Sequence, residues 1–274
     1  VSGYLRSVAA EFTKVTSTRI WWVIALVLFG YIAVLAGGLS ALFGGVQSGA
    51  IGSSMGGGQA PPPAQLPALI YSFASSVGYV FPVLLGALAV TGEFRHQTLT
   101  PTFLAVPRRG RVLAAKLTTL FGFGAVLGVV ALLASVGVGA LVMGTFGVDP
   151  VLGESDTWAL IGRSVLAMAL WAAVGVGLGV LVPNQVATIV IVLAFTQFIE
   201  PLLRLASTFT DATAGIGRFL PGAASDALVG ASFFSIAAPG ASVLEWWQGG
   251  LVLLAYAVVL TVIGYLVTWR RDVT

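Results

Sequence analysis

The sequence predicts an all-α polytopic membrane protein with six transmembrane helices, and three observations predict it. Of its 274 residues, 58% are apolar and only 8% are charged, whereas a soluble domain carries about a quarter charged residues. The mean hydropathy is +1.01. Six apolar runs lie at 20–43, 69–92, 112–144, 159–182, 186–203 and 247–269, each near or above the ~20 residues a helix needs to cross a bilayer. No stretch is polar enough for a separate soluble domain, so 1–274 reads as one transmembrane domain.

The elements follow in order. In residues 1–19, Tyr4, Leu5, Val8, Phe12 and Val15 fall within about 100° on a helical wheel, with Arg6 and Lys14 outside that stripe and Glu11 at its edge. This predicts an amphipathic helix lying in the membrane interface, apolar face down. Arg6, Lys14 and Arg19 ahead of an apolar run resemble a signal peptide. That run is longer than an h-region of about 7–15 residues, so it reads as the first anchor.

Residues 44–68 carry no charge and include Gly56-Gly57-Gly58 and Pro61-Pro62-Pro63, a flexible loop with a short polyproline stretch. The third run is too long for one crossing at about 1.5 Å per residue, which predicts that its first turns, with Arg111 and Lys116, project from the membrane. Residues 145–158 form an acidic loop and 183–185 a tight turn. The fifth run is expected to stop at Glu200-Pro201, where proline disfavours further helix. In the segment 204–246, the run Leu228–Ala238 is too short to cross and suits a re-entrant or interfacial helix.

Charge sets the expected orientation. Arg6, Lys14, Arg19, Arg95, Arg108, Arg109, Arg111, Lys116, Arg270 and Arg271 fall on one side, and only Arg163, Arg204 and Arg218 on the other. The positive-inside rule then puts both termini in the cytoplasm. Trp21, Trp22 and Trp269 would sit at the inner boundary, and Trp158, Trp246 and Trp247 at the outer one.

Absences narrow the chemistry. There is no cysteine, hence no disulfide, thiolate nucleophile or Cys-based metal site. The only lysines precede Val15 and Leu117, so neither ends a Walker A loop. His96 is the single histidine and completes neither a metal site nor a catalytic triad. The chain is therefore not expected to be an enzyme, to hold a cofactor or to bind nucleic acid. Glu200 is the one carboxylate inside an apolar run, i,i+4 from Arg204 and on one face with Gln197. That pairing reads as a structural or gating ion pair, with a substrate-pathway role as the other reading. Gly124 with Gly128, and Gly175 with Gly179, are spaced for close helix packing, within one subunit on the first reading and at a dimer seam on the other.

The most informative segment is Thr91 to Leu117. Thr100 would cap a short helix with Pro101 at its first position, continued by Thr102, Phe103, Leu104, Ala105 and Val106 and interrupted by Pro107. An Arg108-Arg109-Gly110-Arg111 turn follows. The apolar tip, with Phe103 as its anchor, needs a groove to fill. The other reading is an interfacial loop whose basic residues meet anionic lipid.

Here the chain resembles the permease subunits of ABC-2 type ABC transporters, through Gly92-Glu93-Phe94-Arg95, Gln97-Thr98-Leu99, Pro107-Arg108-Arg109 and Ala115-Lys116. The six-span layout, the amphipathic start and the long segment before the last span are similar over nearly the whole chain. The family has Gly where Gln97 stands. The resemblance implies two copies of a separate ATPase subunit carrying the ATP and Mg, and a second permease copy, identical or related. It makes 101–106 the coupling helix, with Pro101, Thr102, Phe103, Leu104, Arg108 and Arg109 at the ATPase contact. Glu93 and Arg95 would be a polar pair at the end of the second span, and 204–246 the outer re-entrant helices closing the exit. The implied activity is export of a small lipophilic or amphipathic compound, a drug or natural product, across a bacterial plasma membrane. An ATP-independent transporter or channel, and a non-transporting membrane scaffold, are the alternatives.

Overall fold

The computed structural model describes residues 2–50, 61–207, 211–232 and 244–270, and no strand occurs among them. Six helices are long and apolar enough to cross a membrane: Ile20–Gln47, Pro63–Arg95, Arg109–Thr145, Ser155–Leu181, Gln185–Ser207 and Trp246–Trp269. They coincide with the six apolar runs. This is a multi-pass membrane protein.

Helix α1 (Ser2–Ser17) is laid against the third span rather than standing free. Its apolar stripe is split. Val15 is buried while Leu5 and Phe12 stay exposed, and the residue that turns fully inward at the stripe's edge is Glu11. The first span is α2 (Ile20–Gln47), which buries only one narrow seam, including Leu28, Ile32 and Ala36, and leaves Leu26 and Val34 bare. In the absence of water, such faces are solvated by lipid.

The second span is broken into α3 (Leu66–Ser76) and α4 (Val80–Arg95). Pro82 supplies the cause, since it lacks the amide that would bond back to Gly78. A seven-residue helix, α5 (Leu99–Ala105), separates it from the third span. That span is α6 (Arg109–Leu132), a π turn at Leu133–Val138, and α7 (Gly139–Thr145). Its first turns are covered by protein. Lys116 is 2% exposed because α1 covers it, and a charge there is held by protein carboxylates instead of water.

The fourth span, α8 (Ser155–Leu181), is the centre of the bundle, with α4, α6 and the last span packed around it. Small residues permit the approach. A Cβ on Gly124 would meet Ala172 at 2.7 Å, and one on Gly128 would meet Met168 at 3.1 Å. Gly175 faces the Val83 backbone and Gly179 the Ala87 carbonyl. Both glycine pairs serve packing within the chain, as their spacing predicts.

The fifth span runs through α9 (Gln185–Ala194), a π turn at Phe195–Ile199 and α10 (Glu200–Ser207). The expected stop at Pro201 does not occur. Pro201 removes the amide that would reach Gln197, and the wide turn just before it absorbs the lost bond. Asn184 caps α9 by accepting from the Ala187 amide at 3.0 Å, closing the tight turn. Two short helices follow, α11 (Asp211–Gly217) and α12 (Pro221–Val229).

Of the run Leu228–Ala238, Leu228 and Val229 form the end of α12. α12 begins at Pro221 and is ended by Gly230, whose φ of 91° breaks the helix. Residues 233–238 of that run lie outside the described residues. α12 packs on α8 and on α13 (Trp246–Gly264). Glu245 and Gln248 cap α13 reciprocally, and a π turn at Tyr265–Trp269 ends it. Trp269 is 1% exposed and belongs to the core, not to an interfacial belt, whereas Trp22, Trp158, Trp246 and Trp247 are exposed.

Candidate functional site

The helices bring the charged residues to two places. At the end of the bundle where α1, α5 and the end of the last span meet, α5 connects the second and third spans. The turn into it is a Schellman motif, in which the Thr98 amide donates to the Glu93 carbonyl at 3.0 Å and the Gln97 amide to the Phe94 carbonyl at 3.3 Å. Gln97 takes the left-handed position, with φ of 54°. Glycine suits that geometry best.

α5 starts at Leu99, one residue before the expected cap. Thr100 therefore lies inside the helix and caps nothing. Pro101 falls at the third helical position, where an amide has no intrahelical partner to lose. The apolar tip is also divided. Leu104 is 79% exposed, but Phe103 turns inward, edge-on to Trp269 with ring centroids 5.4 Å apart. The Arg109 guanidinium lies 4.9 Å over the same ring. Arg109 also donates to the Arg270 carbonyl at 3.1 Å, and Trp269 Nε1 donates to the Arg109 carbonyl at 3.1 Å. Phe103 and Arg109 thus tie α5 to the third and last spans, and Leu104 is left as the free contact. Arg108 is exposed.

Beneath α5 lies an ionic cluster that the sequence does not announce. Lys14 Nζ donates to Glu11 at 2.7 Å and to Glu93 at 2.8 Å. Lys116 Nζ contacts Glu93 at 3.1 Å and pairs closely with Glu11. Lys14 also reaches the Thr102 hydroxyl at 3.4 Å. Two lysines and two glutamates from α1, α4 and α6 thus meet under one helix. Burial by itself would push the Glu11 carboxyl up, but Lys116 and Lys14 outweigh it and hold it below the ordinary value of 4.5. Burial likewise opposes the charge on Lys14, yet Glu93 and Glu11 raise it above the ordinary 10.5. The expected Glu93–Arg95 pair does not form. Arg95 points elsewhere and donates to Gln185 at 3.2 Å, fastening α4 to the start of α9.

The second place is toward the far end of the bundle. Glu200 and Arg204 pair at 3.2 Å, as their spacing predicts. Unforeseen is Asp226 of α12, which accepts from Arg204 at 2.7 Å and from Ser76 at 3.0 Å. Glu200 Oε1 also accepts from the Gly222 amide, while Glu200 Oε2 is buried with no hydrogen-bond partner. Nearby, Tyr79 stacks on Trp171 at 4.4 Å and donates to the Thr196 carbonyl at 3.3 Å. Gln197 is exposed and stands apart from the pair. The network pins α12 to the broken second span and to the fifth.

No family model matches the chain, and no curated protein matches it. Among the described residues no group of three His, Asp or Glu could hold a metal ion. The chemistry these two sites can perform is mechanical: each clamps helices of different spans through buried charge.

Proposed function

We propose that this protein is the membrane-spanning permease subunit of an ABC-2 type exporter, driven by a separate ATPase that docks on α5. The observation that carries the reading is the mounting of α5. It is a short surface helix with a free apolar residue, Leu104, braced from below by Lys14 and from the side by Trp269. A push on α5 is therefore delivered to α1 and to the second, third and last spans together. Such rigid coupling is what converts a partner's motion into a shift of packed helices.

In this reading the α5 end faces the cytoplasm, in accord with its basic residues, and the membrane is the bacterial plasma membrane. Two ATPase subunits, with ATP and Mg, serve two permeases. The cargo is a small lipophilic or amphipathic compound, which suits spans with so few charges. The contact passes through Leu104, with Pro101, Thr102 and Arg108 at its rim.

The test is co-purification with a candidate ATPase subunit co-expressed with this chain, with ATP hydrolysis measured in lipid. Leu104→Asp puts an unpaired charge into the contact and should abolish capture, since a buried anchor contributes about 2 kcal/mol or more. Phe103→Asp should instead loosen the chain itself, because its ring packs inside the bundle. Full capture and hydrolysis with Leu104→Asp would move the docking site off α5.

A further inference from the structure

The two carboxylates of the far cluster are not equally served. Asp226 is satisfied at both oxygens, with Oδ2 accepting from Arg204 at 2.7 Å and Oδ1 from the Ser76 hydroxyl at 3.0 Å. Glu200 is served at one oxygen alone. Its Oε1 accepts from Arg204 Nε and Nη2, both at 3.2 Å, and from the Gly222 amide. Oε2 has no hydrogen-bond partner, and the side chain is 2% exposed.

The surroundings do not supply the missing donor. The described groups within electrostatic reach of Glu200 are Arg204 on its own helix, Asp226 on α12, Tyr79 between α3 and α4, and Tyr256 on α13. α11 carries no charged group among its described side chains. Both phenols direct their hydrogens elsewhere, Tyr79 to the Thr196 carbonyl at 3.3 Å and Tyr256 to the Phe219 carbonyl at 3.2 Å. Asp226 brings a second negative charge and no donor.

We propose that Glu200 Oε2 is a proton-binding site, occupied while α12 is packed on the bundle. Water supplies the proton, an O–H bond forms at Oε2, and the group becomes a neutral carboxylic acid that still accepts at Oε1. The cluster then sets one carboxylate, Asp226, against one guanidinium, Arg204, and its charge cancels. An ionised carboxylate with a bare oxygen is costly in a buried place, and such a group neutralises instead. A hard cation would cancel the charge too, but it needs a shell of oxygen ligands. Among the described residues no group of three carboxylates or histidines offers one. Arg204 and Asp226 keep exposed edges, 12% and 14%, through which the proton exchanges. The site stands on this cluster alone, whatever docks on α5.

The test is infrared spectroscopy of the full chain in lipid at neutral pH, in H2O and in D2O. The wild type should show the carbonyl stretch of a protonated carboxyl, shifted to lower frequency in D2O. Glu200→Gln should remove that band and Asp226→Asn should leave it, with thermal unfolding showing that each variant folds. A second measurement needs no Asp226 variant. Unfolding in a weakly buffered denaturing detergent should release one proton more from the wild type than from Glu200→Gln.

A wild type without the band, or with the same proton release as Glu200→Gln, would overturn the site. A band kept in Glu200→Gln and lost in Asp226→Asn would put the proton on Asp226 and overturn the assignment. A band that vanishes when sodium chloride replaces choline chloride would give Oε2 to a cation and overturn the proton reading.

Discussion

The two buried charge clusters make a controlled comparison, since both clamp separate helices yet differ in balance. Under α5, two lysines meet two glutamates, so every charge has an opposite. Toward the far end, among the described residues, two carboxylates share the single guanidinium of Arg204. A balanced cluster that loses any member is left with a surplus charge in a low-dielectric site. One with a surplus anion tolerates the neutralisation of a carboxylate but not the loss of its cation. The first is built to stay shut, and the second can shed one negative charge without losing its salt bridge.

The largest expected effect tests the balanced side. Lys116→Met leaves Glu11 and Glu93 to share Lys14 alone and should cost about 3–5 kcal/mol, read by thermal unfolding in detergent. Adding Glu11→Leu should recover most of the loss, and simple addition of the two losses would mean the cluster is not coupled.

The next tests the asymmetry itself. Arg204→Met leaves Glu200 and Asp226 without their cation and should cost about 3 kcal/mol. Glu200→Gln keeps the shape and leaves Arg204 paired to Asp226, so under about 1 kcal/mol is expected. Equal losses would erase the distinction between the clusters. Removing Glu200 does not orphan Arg204, a consequence of Asp226 that the i,i+4 spacing alone would miss.

A smaller effect concerns pH. The Glu11 carboxyl is held low, so its contribution is complete above the ordinary 4.5 and is lost as pH falls through the lowered value. Lys14 is held high, so its contribution is complete below 10.5 and is lost as pH rises through the raised value. Between those limits α1 should stay docked. Spin labels at Thr13 and Gly122 would report the distance, and detachment near pH 6 would contradict the balanced cluster. The smallest effect is at the turn above it. Gln97→Gly should stabilise by about 1 kcal/mol by relieving the left-handed φ, with thermal unfolding as the readout.

Much of the fold was legible because lipid imposes a one-dimensional rule. A run of ~20 consecutive apolar residues is read as a helix, since only a helix satisfies its backbone in hydrocarbon within the one segment. The Glu200–Arg204 pair was legible for a similar reason, as i,i+4 neighbours meet on any helix. Pro82 in the second span and Pro201 in the fifth mark where the helices depart from regular form, but Pro201 reads from sequence as a stop, because proline alone does not tell a wide turn from an end. By contrast, Glu11 finds Lys116 across 105 residues of chain, and no local pattern encodes that distance.

Sequence alone therefore determined that this chain carries six helices long and apolar enough to cross a membrane, which glycines let those helices approach, and that α1 and α5 exist. Only the tertiary structure decided what α1 and α5 rest on. It turned Phe103 inward and Leu104 outward, drew Glu11 off the edge of an apolar stripe into the core, and gave Arg204 a second carboxylate. Helix formation depends on neighbours within a turn, which a sequence displays. The partner of a buried charge depends on which helices pack together, and that is settled only when the whole bundle closes.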